Sequence, residues 1–157
     1  MGTNQDGRNA PQGERDDSPQ EDRSEWTQQQ WADYALLQKK FDDEDLTMGK
    51  FQQLDLGWGA SFQRATLHIT SFKEGNVFQA DFREANMDMV CLWKTYAVKA
   101  NFEGANLSRA QMMHGNFEGA NFKGANLDGA AIYGANFKDA NLEGHDLDDL
   151  RKRVAGF

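Results

Sequence analysis

The chain has 157 residues, enough for one domain, and carries a net charge of −8 from 17 Lys+Arg and 25 Asp+Glu. So acidic a chain is not expected to bind nucleic acid directly, because neutralising phosphates takes clustered cations. One cysteine excludes an intramolecular disulfide and a thiolate zinc cage, and three scattered histidines predict no metal site. Without a long apolar run or the apolar segment of a secretory signal, we expect no membrane contact and a cytoplasmic location.

The N-terminal segment has the composition of a disordered tail. Residues 1–23 contain two apolar residues, Met1 and Ala10, and both prolines of the chain, Pro11 and Pro19. Such a segment cannot bury enough apolar surface to offset the entropy that it loses on ordering. We therefore predict a disordered tail over residues 1–23, which serves either as a solubilising leader or as a partner-binding segment.

A capping α-helix is predicted within residues 24–45. Thr27 followed three residues later by Gln30 matches the capping box of a helix start. Apolar residues then recur at spacings of three and four, which places them on one helix face: Trp31, Tyr34, Leu37 and Phe41. Acidic residues at 42–45 are unfavourable at the negative end of the helix dipole, so the helix is predicted to end near Phe41.

From Ala60 onward the sequence has a period of five residues. Every fifth residue from Phe62 to Leu147 is apolar, eighteen in a row without an insertion, and we call these the central residues. In sixteen of the eighteen units a small residue stands two positions earlier. Like residues also recur at intervals of twenty: Phe62, Phe82, Phe102 and Phe122. These periods predict a chain that turns a corner every five residues and has four sides to each coil.

The repeating unit A-N-[LF]-x-x, as in Ala105-Asn106-Leu107, resembles that of pentapeptide repeat proteins. The resemblance covers residues 60–149 in one frame and implies an all-β fold, a right-handed quadrilateral parallel β-helix. Two more units in a shifted frame, ending at Phe51 and Leu56, extend the predicted solenoid to about five coils over residues 46–149. A C-terminal cap is predicted over residues 150–157, with three residues covering the last coil: Leu150, Val154 and Phe157.

The corner position, two residues after each central residue, predicts the turns. It holds glycine in the later coils, for example Gly104 and Gly124, which suits a positive φ. The early coils lack these glycines, so a different turn type is expected there. Asparagines that stand just before the central residues, such as Asn86 and Asn106, are expected to form stacked hydrogen-bonded ladders.

The residues that carry enzyme chemistry are nearly absent. The sequence has no phosphate-binding loop, no nucleophile pattern and no metal-ligand spacing, so we expect no catalytic residue, no metal and no cofactor. His145 occupies an inward position and is interpreted as a structural end piece, whereas His68 and His114 are interpreted as solvated outward residues. Cys91 is interpreted as an idle or packed thiol, because no activating group stands beside it in a recognisable pattern.

One outward column is unusual, on the side with residues 71–74, 91–94, 111–114 and 131–134. The residue after each central position there is large and apolar in three successive coils, at Trp93, Met113 and Tyr133. The column continues around the corner and has a polar rim, which adds four candidate contact residues: Phe78, Val98, Lys94 and His114.

Such a stripe needs a cover. The cover is either the chain's own helix or tail, or a protein partner or a second copy of this chain, since aromatic residues and Met are enriched at such interfaces. The helix has a competing task, because the open edge of the first coil would otherwise accept another strand.

Two functions are compatible with these features. The first is a non-catalytic protein-binding module, a scaffold, adaptor or immunity-like protein, that uses the aromatic column. The second follows from the resemblance alone, which implies that the chain could imitate duplex DNA, bind DNA gyrase or topoisomerase and protect it from quinolones or toxins. The chain departs from that group in having fewer coils, no inserted loops and only a short C-terminal segment. It also lacks ordered acidic rows, the nearest being one outward column: Asp88, Asp128 and Asp148, with His68 and Ser108.

Overall fold

The computed structural model describes Arg23, residues 25–37 and residues 39–156, and in it the chain winds into a solenoid between two short helices. Helix α1 spans Gln28–Leu37 and helix α2 spans Leu147–Ala155. Between them the regular structure consists of single parallel bridges, from Lys40–Ser61 to Asn121–Asn141. Bridged residues are 21 positions apart in the first coil and 20 positions apart in the later coils. With a corner about every five residues, each coil therefore has four sides. The tail predicted over residues 1–23 lies outside the described residues, apart from Arg23.

The central side chains fill the shaft of the solenoid. Every central residue from Phe62 to Ile132 is at most 4% exposed, and Leu107 and Phe122 both face the shaft as the predicted frame requires. Burying a side chain of this size stabilises the fold by about 1.5–3 kcal/mol. On one inner side, neighbouring phenylalanine rings stack with centroids 4.6 to 5.1 Å apart: Phe41, Phe62, Phe82, Phe102 and Phe122.

The solenoid begins earlier than predicted, and α1 ends earlier. Phe41 is fully buried in the shaft, and its backbone N–H donates to the carbonyl of Ser61 at 2.7 Å. It therefore belongs to a first coil and not to the apolar face of α1, which ends at Leu37. The period of five was hidden in this coil because Glu44 and Leu54 replace the small residues of the later repeats.

Corner residues of the early coils have a positive φ close to that of the glycines in the later coils, so the expectation of a different turn there because glycine is absent is wrong. The corner after Leu56 differs from the others, because it contains an extra residue, Gly59, with a φ of 90°. The N–H of Ala65 donates to the carbonyl of Phe62, and Arg64 between them has a φ of 57°, as in a type II turn. Among the described residues, fifteen non-glycine residues at corner positions have φ between 53° and 62°. The strain of this conformation is opposed by hydrogen bonds between coils, such as that from Arg64 N–H to the carbonyl of Arg83.

Asparagine side chains form ladders on the outside of the coils. The amide of Asn106 donates to Asn86 at 3.1 Å, and that of Asn141 donates to Asn121 at 3.0 Å. The same oxygens accept backbone N–H groups two residues further on, as Asn106 does from Ser108. Each amide therefore holds its own turn and also links one coil to the next.

Helix α1 packs on the open end of the first coil. A reciprocal capping box starts it, in which Thr27 N–H donates to Gln30 Oε1 at 2.9 Å and Gln30 N–H donates to Thr27 Oγ1 at 3.3 Å. Trp31 is 1% exposed, and the centroid of its ring lies 5.1 Å from that of Phe51 in the first coil. Trp31 of α1 therefore packs against the end of the shaft.

Arg23 belongs to this end of the structure and not to the predicted tail. Its guanidinium lies over the ring of Tyr34, 4.4 Å from the centroid, and pairs with Glu44 at 2.8 Å. Burial, together with the hydrogen bond to Glu44, raises the pKa of the Tyr34 hydroxyl above its ordinary value. The sequence could not indicate these contacts, because they join residues 10 to 21 positions apart that share no repeat.

Helix α2 closes the other end. Asp146 caps it by accepting from the N–H groups of Asp148 and Asp149, and Leu150 is buried against the last coil. The guanidinium of Arg153 donates to the carbonyl of Leu127, which also accepts the turn bond from Ala130 N–H, and to the carbonyl of Ala130, which has no further coil to bond. His145 supports the interpretation of an end piece, since its Nε2 lies 2.9 Å from the carbonyl oxygen of Phe122.

Two expectations at this end are wrong. Leu147 is the first residue of α2 and 47% exposed, so it is not a central residue, and Asp148 lies in the helix and not in an outward column of the solenoid. The cap at Asp146 and the acidic residues of the first turn explain why a helix begins here. Phe157, which was predicted to cover the last coil, lies outside the described residues.

One carboxylate on the outer surface is almost enclosed. Asp88 is 8% exposed, accepts hydrogen bonds from Arg109 Nε at 3.0 Å and Ser108 Oγ at 2.9 Å, and has His68 Nδ1 at 3.2 Å. The hydrogen bond from Arg109 holds the pKa of the Asp88 carboxyl below its ordinary value. The sequence analysis interpreted His68 as a solvated residue, whereas in the structure it lies against the Asp88 carboxylate.

The frame of the shaft is tested by Leu107→Ala. Removing this fully buried side chain leaves a cavity in the stack and should lower the free energy of unfolding by about 2–5 kcal/mol, as measured by urea denaturation. Lys99→Ala, a truncation at an exposed corner position, is the matched control and should cost much less. Equal losses from the two variants would contradict the assigned frame.

The Asp88 cluster predicts a pH dependence. Because the folded pKa of Asp88 is depressed, its ionised form adds stability above the unfolded pKa of about 4, and this is lost as pH falls through the folded value. Asp88→Asn should therefore lower the melting temperature at pH 7, and the difference from wild type should shrink below about pH 4. Asp128→Asn, at the exposed end of the same column, should change less. An Asp88→Asn deficit that is the same at pH 3 and pH 7 would refute this role.

Candidate protein-binding surface

The third side of the solenoid comprises residues 50–53, 71–74, 91–94, 111–114 and 131–134. Trp93, Met113 and Tyr133, which we call the aromatic column, follow central residues that are at most 1% exposed and fill the shaft. Backbone hydrogen bonds fix their register, from Lys94 N–H to the carbonyl of Met113 and from His114 N–H to that of Tyr133, each 3.0 Å long. The column therefore stands on a rigid ladder and spans two strand spacings, about 10 Å.

Two lysines contact the ring of Trp93. The ammonium of Lys94 is 4.2 Å and that of Lys73 is 4.9 Å from the ring centroid, which is cation–π geometry. Neither lysine forms an ion pair with a carboxylate of the described residues. The sequence placed Lys94 at the rim of the surface, but it gave no indication that both ammonium groups share one ring.

Tyr133 closes the lower end of the aromatic column. It is 51% exposed, and the edge of its ring meets the ring of His114 with centroids 5.5 Å apart. A Cβ added at Gly156, just beyond α2, would lie 2.9 Å from two carbons of the Tyr133 ring. Tyr133 is therefore partly covered by the chain's own C-terminal turn, and Trp93 and Met113 are both half-buried.

Phe78 and Val98 lie on the fourth side, where both are half-buried. The ring of Phe78 contacts Trp58, with centroids 4.9 Å apart, and Tyr96, with centroids 6.2 Å apart. Trp58 is 71% exposed and Tyr96 is 45% exposed. These ring contacts place Phe78 in a second aromatic cluster, which sequence reasoning missed because Trp58 can be assigned only after the first coil is recognised.

A row of exposed apolar residues borders the third side at its other corner. Met48, Ile69 and Met89 occupy corner positions of successive coils and are 53%, 45% and 40% exposed. The sequence analysis did not single them out, although reading the corner positions at intervals of 21 and 20 would have revealed the row. The aromatic column is therefore not an isolated stripe, because this row lies above it along the solenoid and reaches its level at Met89, in the coil of Trp93.

Helix α1 meets the third side only at its upper end. The Lys50 ammonium donates to the carbonyl of Trp26 at 2.8 Å, and the Gln28 amide donates to the carbonyl of Gln52 at 3.0 Å. These contacts lie two coils above Trp93. These contacts hold the start of α1 at the first coil, away from Trp93, so they disagree with the alternative in which α1 covers the aromatic column.

Other kinds of site were sought among the described residues. No described helix has the length and hydropathy needed to cross a membrane. Within the same residues, no group of three His, Cys, Asp or Glu side chains is placed to hold a metal ion. Cys91 is a half-buried free thiol.

Comparison with known proteins identifies the repeat. The sequence profile described as Pentapeptide repeats matches residues 92–129 and 105–144, with eight copies. No curated protein matches the sequence significantly.

Solved structures show a similar fold. The plasmid-mediated fluoroquinolone resistance protein QnrB1 aligns with a TM-score of 0.51 and 18% identity over 66% of this chain and 58% of that chain. A pentapeptide repeat protein from the thylakoid lumen of Arabidopsis thaliana aligns with a TM-score of 0.48 and 20% identity, over 82% and 80% of the two chains. One from the cyanobacterium Cyanothece 51142 aligns with a TM-score of 0.39 and 21% identity, over 74% and 92%. With its period of five, its buried central residues and a profile match over residues 92–144, the chain contains pentapeptide repeats.

Proposed function

We propose that this protein is a non-catalytic protein-binding module whose contact surface is centred on the aromatic column. The observation that carries the proposal is the outward Trp93, which fills no part of the shaft and which α1 does not contact. Tyrosine, tryptophan and methionine are enriched at protein interfaces, and truncating a buried aromatic anchor often costs more than any other change. A solenoid has no folding need for such a residue on its outer face.

The rigidity of the third side supports this function. Trp93, Met113 and Tyr133 are held in line by backbone hydrogen bonds between coils, so little backbone entropy is lost when a partner binds. The exposed row at Met48, Ile69 and Met89 extends the apolar area above the column. An extended partner segment would find contacts over three coils without any rearrangement of the solenoid.

A second candidate function comes from QnrB1, whose name records fluoroquinolone resistance. A likeness at 18% identity carries the fold alone, and imitation of duplex DNA would need rows of unpaired carboxylates. Asp88, the centre of the nearest acidic row, is paired with Arg109 and has His68 beside it. We therefore favour protein binding through the aromatic column over the second candidate function, the binding and protection of DNA gyrase.

Affinity capture with Trp93→Ala tests the proposal. Full-length tagged protein is incubated with an extract of its source cells, and bound proteins are quantified by mass spectrometry. Proteins recovered with wild type should not be recovered with Trp93→Ala. The substitution should weaken their binding by about 2 kcal/mol, or roughly 30-fold in affinity, as at an aromatic hot spot. If the partner is a second copy, sedimentation should show the variant as a smaller species than wild type.

Trp58→Ala is the matched control, since it removes an exposed tryptophan from the fourth side. The free energy of unfolding of both variants should lie within about 1 kcal/mol of the wild-type value, because outward truncations open no cavity in the shaft. Unchanged recovery and unchanged mass for Trp93→Ala would overturn the proposal. If the Trp93→Ala variant still protects the supercoiling activity of gyrase from quinolones, this would favour the second function instead.

A further inference from the structure

The third side is a basic face on an acidic protein. Its charged residues are Lys50, Lys73, Lys94 and Glu74, a balance of +2, whereas the whole chain has a net charge of −8. Glu74 accepts a hydrogen bond from Gln53 at 3.0 Å and forms no ion pair with a described lysine. The excess positive charge therefore coincides with the aromatic column.

The lysines of this face differ from the arginines of the chain. Every arginine that the structure describes forms an ion pair with a carboxylate: Arg23, Arg64, Arg83, Arg109, Arg151 and Arg153. Lys73 and Lys94 have no such partner among the described residues, and Lys50 donates to a backbone carbonyl. Five other described lysines also lack a carboxylate partner: Lys39, Lys40, Lys50, Lys99 and Lys152. Of the described lysines, only Lys73 and Lys94 lie over an aromatic ring, that of Trp93.

The ring of Trp93 fixes where these two charges stand. Each ammonium lies within 5 Å of the ring centroid, so the two cations contact one apolar surface. A carboxylate that approaches beside the ring can pair with an ammonium while an adjoining apolar side chain covers the indole. Desolvation by that side chain strengthens the charge-assisted hydrogen bond.

We propose that the segment that binds the aromatic column belongs to a separate protein and is acidic, with carboxylates that pair with Lys73 and Lys94 beside Trp93. This inference rests on the proposed function and names the chemistry of its partner. A polypeptide fits better than a nucleic acid, because a face of +2 neutralises few phosphates and the remaining acidic surface repels a polyanion. In an acidic segment with one or two apolar residues, the carboxylates can pair with the lysines and the apolar side chains can pack on the aromatic column.

The test is a selection of random 12-residue peptides displayed on phage against the immobilised full-length protein. Enriched peptides should carry net negative charge and at least one large apolar residue. Synthetic copies, titrated by the change in tryptophan fluorescence at low salt, should bind at least tenfold more weakly to Lys73→Gln/Lys94→Gln. The matched control Lys99→Gln/Lys152→Gln changes the net charge equally at exposed sites and should alter the affinity less than twofold.

The outcomes separate the two proposals. If Trp93→Ala abolishes peptide binding but the Lys73/Lys94 variant does not weaken it, the column binds a partner and the acidic inference is overturned. If neither change matters, or no peptide is enriched, both proposals fall. Tighter, lysine-dependent binding of an oligo(dT) 20-mer would overturn the choice of a polypeptide.

The chain's own acidic N-terminal residues are a competing occupant. A full-length variant with Asp16→Asn, Asp17→Asn, Glu21→Gln and Asp22→Asn measures their effect. If peptides bind this variant and wild type alike, the site serves a separate partner, as proposed. If they bind this variant alone, the occupant is the chain's own segment and a separate acidic partner is overturned.

Discussion

The stacking of like side chains along the shaft is the interaction on which the rest of this structure depends. The ring of Phe82 lies between those of Phe62 and Phe102 with planes within 7° of parallel, across coils of twenty residues each. Equal coils bring the backbone of each into register with the next. The hydrogen bonds made in that register oppose the cost of positive φ at non-glycine corners such as Arg64, about 1–2 kcal/mol for each residue.

The same constraint explains why the outer face is free to carry function. A residue that follows a central residue points away from the shaft, so its identity has little effect on stacking. The ladder nevertheless fixes its position, which places Trp93, Met113 and Tyr133 in line and holds Lys73 against the Trp93 ring. A rigid array of this kind suits a binding surface better than a catalytic site, because it offers aligned contacts without a cleft that excludes water.

Much of the shaft could be predicted from the sequence, because burial at every fifth residue repeats without interruption from Phe62. The first coil could not, since Glu44 and Leu54 break the pattern of small residues and Phe41 also fits a helical spacing. The outward direction of Trp93 followed from its frame.

Contacts between elements without a shared repeat were invisible in the sequence. The two lysines on the Trp93 ring, the cluster around Trp58 and the bonds from Arg153 to the last coil all depend on distances in space. For the same reason, the sequence left open whether α1 covers the column. That question was decided by the contacts of Gln28 and Trp26 with the first coil.

Site-specific photocrosslinking tests the central claim most directly, that the third side is where a partner binds. The photoreactive amino acid p-benzoylphenylalanine replaces Met113, in the middle of the column, or Gln79, at an exposed corner of the fourth side. Irradiation of cells that produce each full-length variant should yield an adduct of defined mass from position 113 and none from position 79. Adducts of equal yield from both positions, or none from position 113, would contradict the account.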